Sequence, residues 1–252
     1  MTIDWGQNPA AVWRRHRQVL RAVRRIDPIR FEDLIGVERQ SAALRANTER
    51  FLRREPANNA LLWGARGTGK SSLVKALLNT YLADGLRVIE VDKDDLGYLP
   101  EIVDEVRDLP QRFIVFCDDL SFERGEPGYK ALKSVLEGSI ELPPENVLVY
   151  ATSNRRHLMP EYMADNLETR LVDGEIHPGE SVEEQVSLSD RFGLWLSFYP
   201  IDQDTYLSMV DSLFPEIGDR QALHREAIRF ASSRGGRSGR IASQFRRAYD
   251  PR

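Results

Sequence analysis

Apolar and polar residues along the chain fall into two alternating periods. Short apolar runs occur at Ala60-Leu61-Leu62-Trp63, Leu86-Arg87-Val88-Ile89-Glu90-Val91, Phe113-Ile114-Val115-Phe116-Cys117, Val147-Leu148-Val149-Tyr150-Ala151-Thr152 and Leu194 to Phe198, and each predicts a strand. The third run is apolar throughout, as a strand covered on both faces of a parallel sheet must be. Before and between them lie helix-like stretches at about 37–54, 72–78, 101–107 and 129–139, with breaks at Pro56-Ala57-Asn58-Asn59, Asp84-Gly85 and Pro143-Pro144. Strands alternating with helices predict an α/β fold with a doubly wound, parallel five-stranded sheet. The last fifty residues carry three further helical patterns, near 202–213, 220–232 and 239–249. The resulting division is a basic segment at 1–27, an α/β body at 28–200 and a small C-terminal helical unit at 201–252.

Charge changes the picture at the two ends. The formal net charge is −4, yet residues 1–30 carry seven arginines against two acids and residues 220–252 nine against two. The body between them is therefore strongly acidic. In the N-terminal segment Val12, Val19, Val23 and Ile26 stand at helical spacing with arginines on the other faces, which predicts a basic amphipathic helix. Such a helix docks on its own domain, or contacts nucleic acid or the acidic body of a neighbouring subunit. Asp27-Pro28-Ile29-Arg30-Phe31 reads as a linker, because proline disfavours helix at the residue before it.

With 252 residues and 41% hydrophobic content, the chain can bury a sizeable core, and neither disorder nor a fibrous protein fits. No apolar stretch approaches the ~20 residues that cross a bilayer, and Met1 to Gly6 lacks the apolar core of a signal peptide. The single cysteine, Cys117, sits in an apolar run, so no internal disulfide is possible. The expectation is a cytoplasmic protein without a membrane span.

Chemistry concentrates first at Gly64-Ala65-Arg66-Gly67-Thr68-Gly69-Lys70-Ser71-Ser72. A strand precedes this glycine-rich stretch and a helix follows it, the order a phosphate-binding loop needs. The glycines let the backbone curl until successive N–H groups point inward at a helix N-terminus, forming a nest for anions. Lys70 is then placed against β- and γ-phosphates, and the Ser71 hydroxyl completes the coordination of a magnesium ion. The end of the third strand supplies Asp118 and Asp119, at the strand terminus where ligands collect in open α/β sheets. Asp118 is expected to hold magnesium through its water shell, and Asp119 to orient or deprotonate the attacking water. At the end of the next strand, Asn154 can hydrogen-bond both that water and a γ-phosphate oxygen. Cys117 reads as packing.

The order of these motifs, over about 28–249, resembles the AAA+ ATPases. Gly64 to Ser71 resembles their Walker A motif, Phe113 to Asp119 their Walker B and Asn154 their sensor-one residue. The resemblance implies that Ile35 and Gly36 border the adenine. It also implies that Arg191, in Leu188-Ser189-Asp190-Arg191-Phe192-Gly193, reaches the nucleotide of an adjacent subunit in a homo-oligomer. The C-terminal helices become a lid whose sensor-two arginine is Arg240, with Arg237 as the alternative. The runs Leu61 to Leu78, Glu90 to Leu96 and Ala151 to Pro160 resemble, more closely, a bacterial AAA+ family of unknown function. ATP and Mg²⁺ are the implied ligands, and a protein or nucleic acid the implied client. Two readings of output follow: an ATPase that remodels its client, or a nucleotide-gated loader with little hydrolysis. A small-molecule kinase would need a mobile arginine-rich lid inside the sheet connections, and Gly239-Arg240 in a C-terminal helical unit argues against it.

Two departures from the AAA+ pattern bear on rate. Asp119 stands where most members have Glu, retracting the carboxylate by about 1.5 Å, one C–C bond length. A misplacement of that size costs on the order of a hundredfold, which predicts slow hydrolysis unless Glu123 or a backbone shift compensates. Arg66 adds a cation inside the loop, a further nucleotide-binding candidate that contacts phosphate, a neighbouring subunit or solvent, with solvent or a neighbour favoured. The long connection from Arg155 to Asp190, with His157, Pro160, Tyr162, Met163, His177, Pro178, Glu180, Glu183 and Glu184, is either a partner-binding loop or a packed surface insertion.

Overall fold

The structure, a computed structural model, describes residues 3–122, 127–138, 142–156, 158, 170–172, 175–177 and 188–249. The five apolar runs form strands β3 (Ala60–Gly64), β4 (Leu86–Glu90), β5 (Arg112–Cys117), β6 (Val147–Ser153) and β9 (Leu194–Phe198). They lie side by side in the order β4-β5-β6-β3-β9, all parallel.

The N-terminal segment departs from its expected helix. It forms β1 (Ala10–Arg14) and β2 (Val19–Ala22), and these extend the sheet to seven strands in the order β2-β1-β4-β5-β6-β3-β9. β1 runs parallel to β4, with Val12 opposite Glu90, and β2 turns back antiparallel, with Trp13 opposite Leu20. The valine spacing that mimics a helix is broken by Gln18, whose φ of 48° closes the turn. Ala11, Trp13 and Leu20 then bury on one face of the strands, and aromatic and β-branched residues suit this half-buried surface. The open edge of β4 supplies backbone partners that a lone helix would not use.

Both sheet faces are covered, as the uninterrupted apolar character of β5 requires. Phe113, Val115 and Cys117 point to the face packed by α3 (Leu99–Asp104) and α4 (Pro127–Glu137), through Ile102 and Leu132. Ile114 and Phe116 point to the opposite face, packed by α1 (Glu38–Leu52) and α2 (Lys70–Tyr81), through Leu44, Leu73 and Leu77. Tyr150 is wholly buried on this second face. Its hydroxyl accepts from Asn47 Nδ2 at 2.9 Å and lies 2.9 Å from Thr48 Oγ1, fixing α1 against β6, and burial pushes its pKa up to about 12.

Three C-terminal helices, α5 (Gln203–Leu213), α6 (Arg220–Ser233) and α7 (Gly239–Ala248), match the expected spans within two residues. They enclose a core of their own, with Tyr206, Val210, Leu223, Ala227, Ala242 and Phe245 at its centre. In the connection from Arg155 to Asp190, β7 (Arg170–Val172) and β8 (Glu175–His177) form a separate antiparallel pair. His157, Pro160, Tyr162, Met163, Pro178, Glu180, Glu183, Glu184 and the compensating candidate Glu123 lie outside the described residues. Among the described residues, no helix is long and apolar enough to cross a membrane.

Candidate functional site

The loop after β3 is shaped by positions where a side chain does not fit. Gly64 has φ 130°, and a Cβ there would stand 2.0 Å from the carbonyl oxygen of Phe198 on β9. That closeness lets Ala65 N–H donate to the same carbonyl at 2.8 Å, tying the start of the loop to the neighbouring strand. Gly67 and Gly69 have φ of 72° and 97°, a region L side chains rarely enter, and Gly69 caps the N-terminus of α2. Thr68 Oγ1 donates back to the Ala65 carbonyl at 2.8 Å. Inside this curl Lys70 is only 7% exposed. Its ammonium donates to the carbonyls of Gly64 at 2.8 Å and Ala65 at 2.7 Å and to Asn154 Oδ1 at 3.2 Å. Burial lowers the Lys70 pKa below its ordinary value, with Asp118 and Asp119 opposing the shift and Arg66 adding to it.

Facing the loop are the ends of β5 and β6. Asp118 Oδ1 accepts from Ser71 Oγ at 2.6 Å and from Thr152 Oγ1 at 2.5 Å. Thr152 Oγ1 in turn accepts the backbone N–H of Asp119 at 2.9 Å. Asp119 itself sits at φ 52°, a left-handed conformation that Asp and Asn tolerate better than other side-chain-bearing residues. Asn154 donates from Nδ2 to the Asp119 carboxylate while its Oδ1 receives Lys70. The two acids, the lysine and the amide expected from sequence thus form one connected network. Its organising member, Thr152, has no separate role in the sequence reading. The available signal is a hydroxyl two residues before Asn154, near the end of a largely apolar strand.

These groups line one end of a cleft of about 710 Å³, within the size range of small-ligand sites. Arg66, Gly67, Thr68, Gly69, Ser71 and Ser72 border it, Arg66 with its side chain exposed. Ile29, Leu34, Ile35 and Val37 form an apolar wall from the segment before α1, and Met209 and Leu213 of α5 close the opposite side. Of this wall, the sequence reading singled out Ile35 alone. Gly36 does not line the cleft. It stands at φ 79° against Thr205, where a Cβ would meet Thr205 Cγ2 at 2.7 Å, and its N–H donates to Glu38 Oε1 at 2.9 Å.

The helical unit reaches the loop directly. Gly239 N–H at the start of α7 donates to the Gly67 carbonyl at 3.1 Å. Arg240, the next residue, lines the cleft, whereas Arg237 is absent from its lining and donates to Gln203 Oε1 at 3.2 Å. Arg191 does not line the cleft either, and its guanidinium pairs with Glu137 at the end of α4. Cys117 is fully buried and its thiol is pushed up to about 12 by burial and by Asp118, which suits packing and no other chemistry.

No cluster of three or more His, Cys, Asp or Glu able to hold a metal occurs among the described residues. The Ser71 hydroxyl and Asp118 carboxylate, 2.6 Å apart, nevertheless provide the sparse oxygen set that suits magnesium, which keeps several waters and takes further ligands from phosphates.

The sequence matches, over residues 6–252, the family described as "Protein of unknown function (DUF815)", and the chain belongs to it. No match was found among curated proteins. Among solved structures, the fold is similar to that of the Thermotoga maritima RuvB Holliday junction branch migration motor, with a TM-score of 0.55, 14% identity, 87% of this chain and 63% of that chain covered. Two sequence variants of that protein give TM-scores of 0.55 and 0.56 at 15% identity, covering 87% and 88% of this chain and 63% and 65% of theirs. The chain therefore spans less than two thirds of their length. At this identity the likeness shows the fold, a phosphate-loop α/β fold of AAA+ type.

Proposed function

We propose that this DUF815-family chain binds Mg·ATP in the cleft between the sheet and the C-terminal helices and hydrolyses it to ADP and phosphate. The observation that carries the reading is the convergence of the Ser71–Asp118 pair, Lys70 and Asn154 on the mouth of one glycine loop. That convergence suits a triphosphate and its metal far better than an ordinary turn. Magnesium, when bound, would supply charge neutralisation and phosphate orientation, with Ser71 as a direct ligand and Asp118 acting through water.

The protein groups divide the remaining work. Gly64 and Ala65 do not line the cleft and shape the loop through Phe198, whereas backbone N–H groups from Arg66 to Ser72 cradle the phosphates, and Lys70 leaves its carbonyl partners for the β- and γ-phosphates. Asp119 accepts a proton from the attacking water, and Asn154 positions that water. Arg240 neutralises charge developing on the transferred group. Ile35 and the apolar wall beside it accommodate the base, with Gly36 keeping the segment against α5. Catalysis in trans would require Arg191 to exchange Glu137 for the nucleotide of a neighbouring copy in a homo-oligomer. The fold likeness to a branch migration motor supports coupling of hydrolysis to movement of a macromolecular client, and the cytoplasm is the proposed location.

A second reading, the nucleotide-gated loader with little hydrolysis, is favoured by one feature. The Asp119 carboxylate is short and already engaged by Asn154. Measuring phosphate release and fluorescent-nucleotide binding on wild type and Asp119→Asn tests both, because Asn tolerates the same left-handed backbone. The ATPase reading predicts slow turnover in wild type, at least about a hundredfold less in the variant, and binding retained in both. Equal turnover in the two proteins would contradict the role of Asp119. Binding without measurable turnover in wild type would select the loader.

A further inference from the structure

Outside the cleft, charge is most segregated on the β1–β2 hairpin and the residues that follow it. From Trp5 to Ile26 the chain contains no Asp or Glu but six arginines, Arg14, Arg15, Arg17, Arg21, Arg24 and Arg25. All six are exposed. Among the described residues only Arg15 has a carboxylate partner, Asp95 at 3.8 Å. The nearby acids are few. Glu90 shares a strand face with Val12 and Arg14, Asp92 and Asp94 flank Asp95, and Asp27 is engaged by Lys75 at 3.1 Å.

The platform beneath these arginines is firm. Trp13 and Leu20 face each other and are buried. Trp5 packs edge-on against Phe113 with centroids 4.9 Å apart, and Arg87 Nε donates to the Trp5 carbonyl at 2.7 Å. Charge on an edge strand also discourages stray strand pairing, but that explains Arg21 alone, the one arginine inside β2. The other five lie before, in or beyond the turn.

Because β2 runs back along β1, Arg14, Arg15 and Arg17 gather at one end, Arg21 lies midway and Arg24 and Arg25 stand at the other. At about 3.3 Å per residue the stripe extends on the order of 15–20 Å. A duplex presents a phosphate about every 3.4 Å along each strand, so about four to six phosphates run beside it, of which the stripe is expected to engage about four. The guanidinium fork suits bidentate contact with phosphate. Both tryptophans of the hairpin region are buried, so the stripe offers no aromatic platform for stacking unpaired bases. β1 being parallel to β4, the arginine-rich turn sits at the carboxyl end of the sheet, the end that carries the cleft.

We propose that this arginine stripe docks the phosphate backbone of double-stranded nucleic acid, without reading its sequence. The test is fluorescence anisotropy of a labelled 30-base-pair DNA duplex of mixed sequence, with the full chain, between 50 and 200 mM NaCl. About four phosphate contacts predict a log–log salt slope near −3.6, about a hundredfold weakening over that range. Replacing Arg14, Arg17 and Arg21 together by Ala is expected to lower affinity at least about tenfold at 50 mM NaCl and flatten the slope by about 3. Replacing the same three by Lys keeps most of the slope. Circular dichroism and Mg·ATP binding should be unchanged in both, so failure here is distinguishable from failure of the nucleotide reading. The proposal is overturned if wild type does not bind the duplex at 50 mM NaCl or if the Ala variant binds it equally well. It is also overturned if polyglutamate competes as strongly as duplex, or if the variant instead dissolves a homo-oligomer, which would give the arginines to a neighbouring subunit.

Discussion

Thr152 shows how much of the site rests on one hydroxyl. It is 1% exposed, donates to Asp118 Oδ1 and accepts from Asp119 N–H. It therefore sets both the carboxylate expected to face magnesium and the left-handed backbone that aims the second acid. Its replacement by Val keeps the shape, leaves the part-buried Asp119 N–H without its acceptor and leaves Asp118 Oδ1 with Ser71 alone, a loss on the order of 1 kcal/mol. Thr152→Val is expected to lower kcat at least about tenfold with little change in KM for ATP, and Thr152→Ser to restore most of it. A KM rise with kcat intact would make Thr152 a structural residue only. The glycines, the acids and Asn154 are legible in the sequence because each belongs to a fixed spacing around a strand end. Thr152 is not, because its role depends on strands β5 and β6 lying side by side.

At the scale of elements, the joint between the glycine loop and the C-terminal helices is narrow. Ser238 caps α7, its Oγ accepting the Ile241 N–H at 3.2 Å, while its Cβ stands where a side chain on Gly67 would be, 2.6 Å from the position a Cβ would take. Losing the cap costs about 1 kcal/mol, so Ser238→Ala should lower the melting temperature by a few degrees. Gly67→Ala strains the loop at φ 72° and pushes α7 away as well. It is expected to weaken Mg·ATP binding more than Ser238→Ala does, and the reverse order would mean that α7 does not contact the occupied loop. The helices themselves are legible in the sequence, with boundaries shifted by two residues or so. The N-terminal hairpin is not, since Val12, Val19, Val23 and Ile26 fit a helical stripe. Only the unpaired edge of β4, a partner more than sixty residues away, decides for strands.

For the whole molecule, the sheet order β4-β5-β6-β3-β9 brings together three loops that are distant in sequence, after β3, β5 and β6. The apolar runs give the strands, and the requirement that both faces be covered gives the layers. The apolar wall of the cleft has no such signature: Ile29, Leu34, Met209 and Leu213 converge from the linker before α1 and from α5, and nothing local marks them. The central claim is that loop, acids and lid enclose one magnesium-bound triphosphate. Calorimetric titration of ATP into wild type and Lys70→Ala, with magnesium and with chelator, tests it most directly. The expected result is one site per chain, tighter with magnesium and lost in the variant. No heat with wild type, or identical binding by Lys70→Ala, would contradict it.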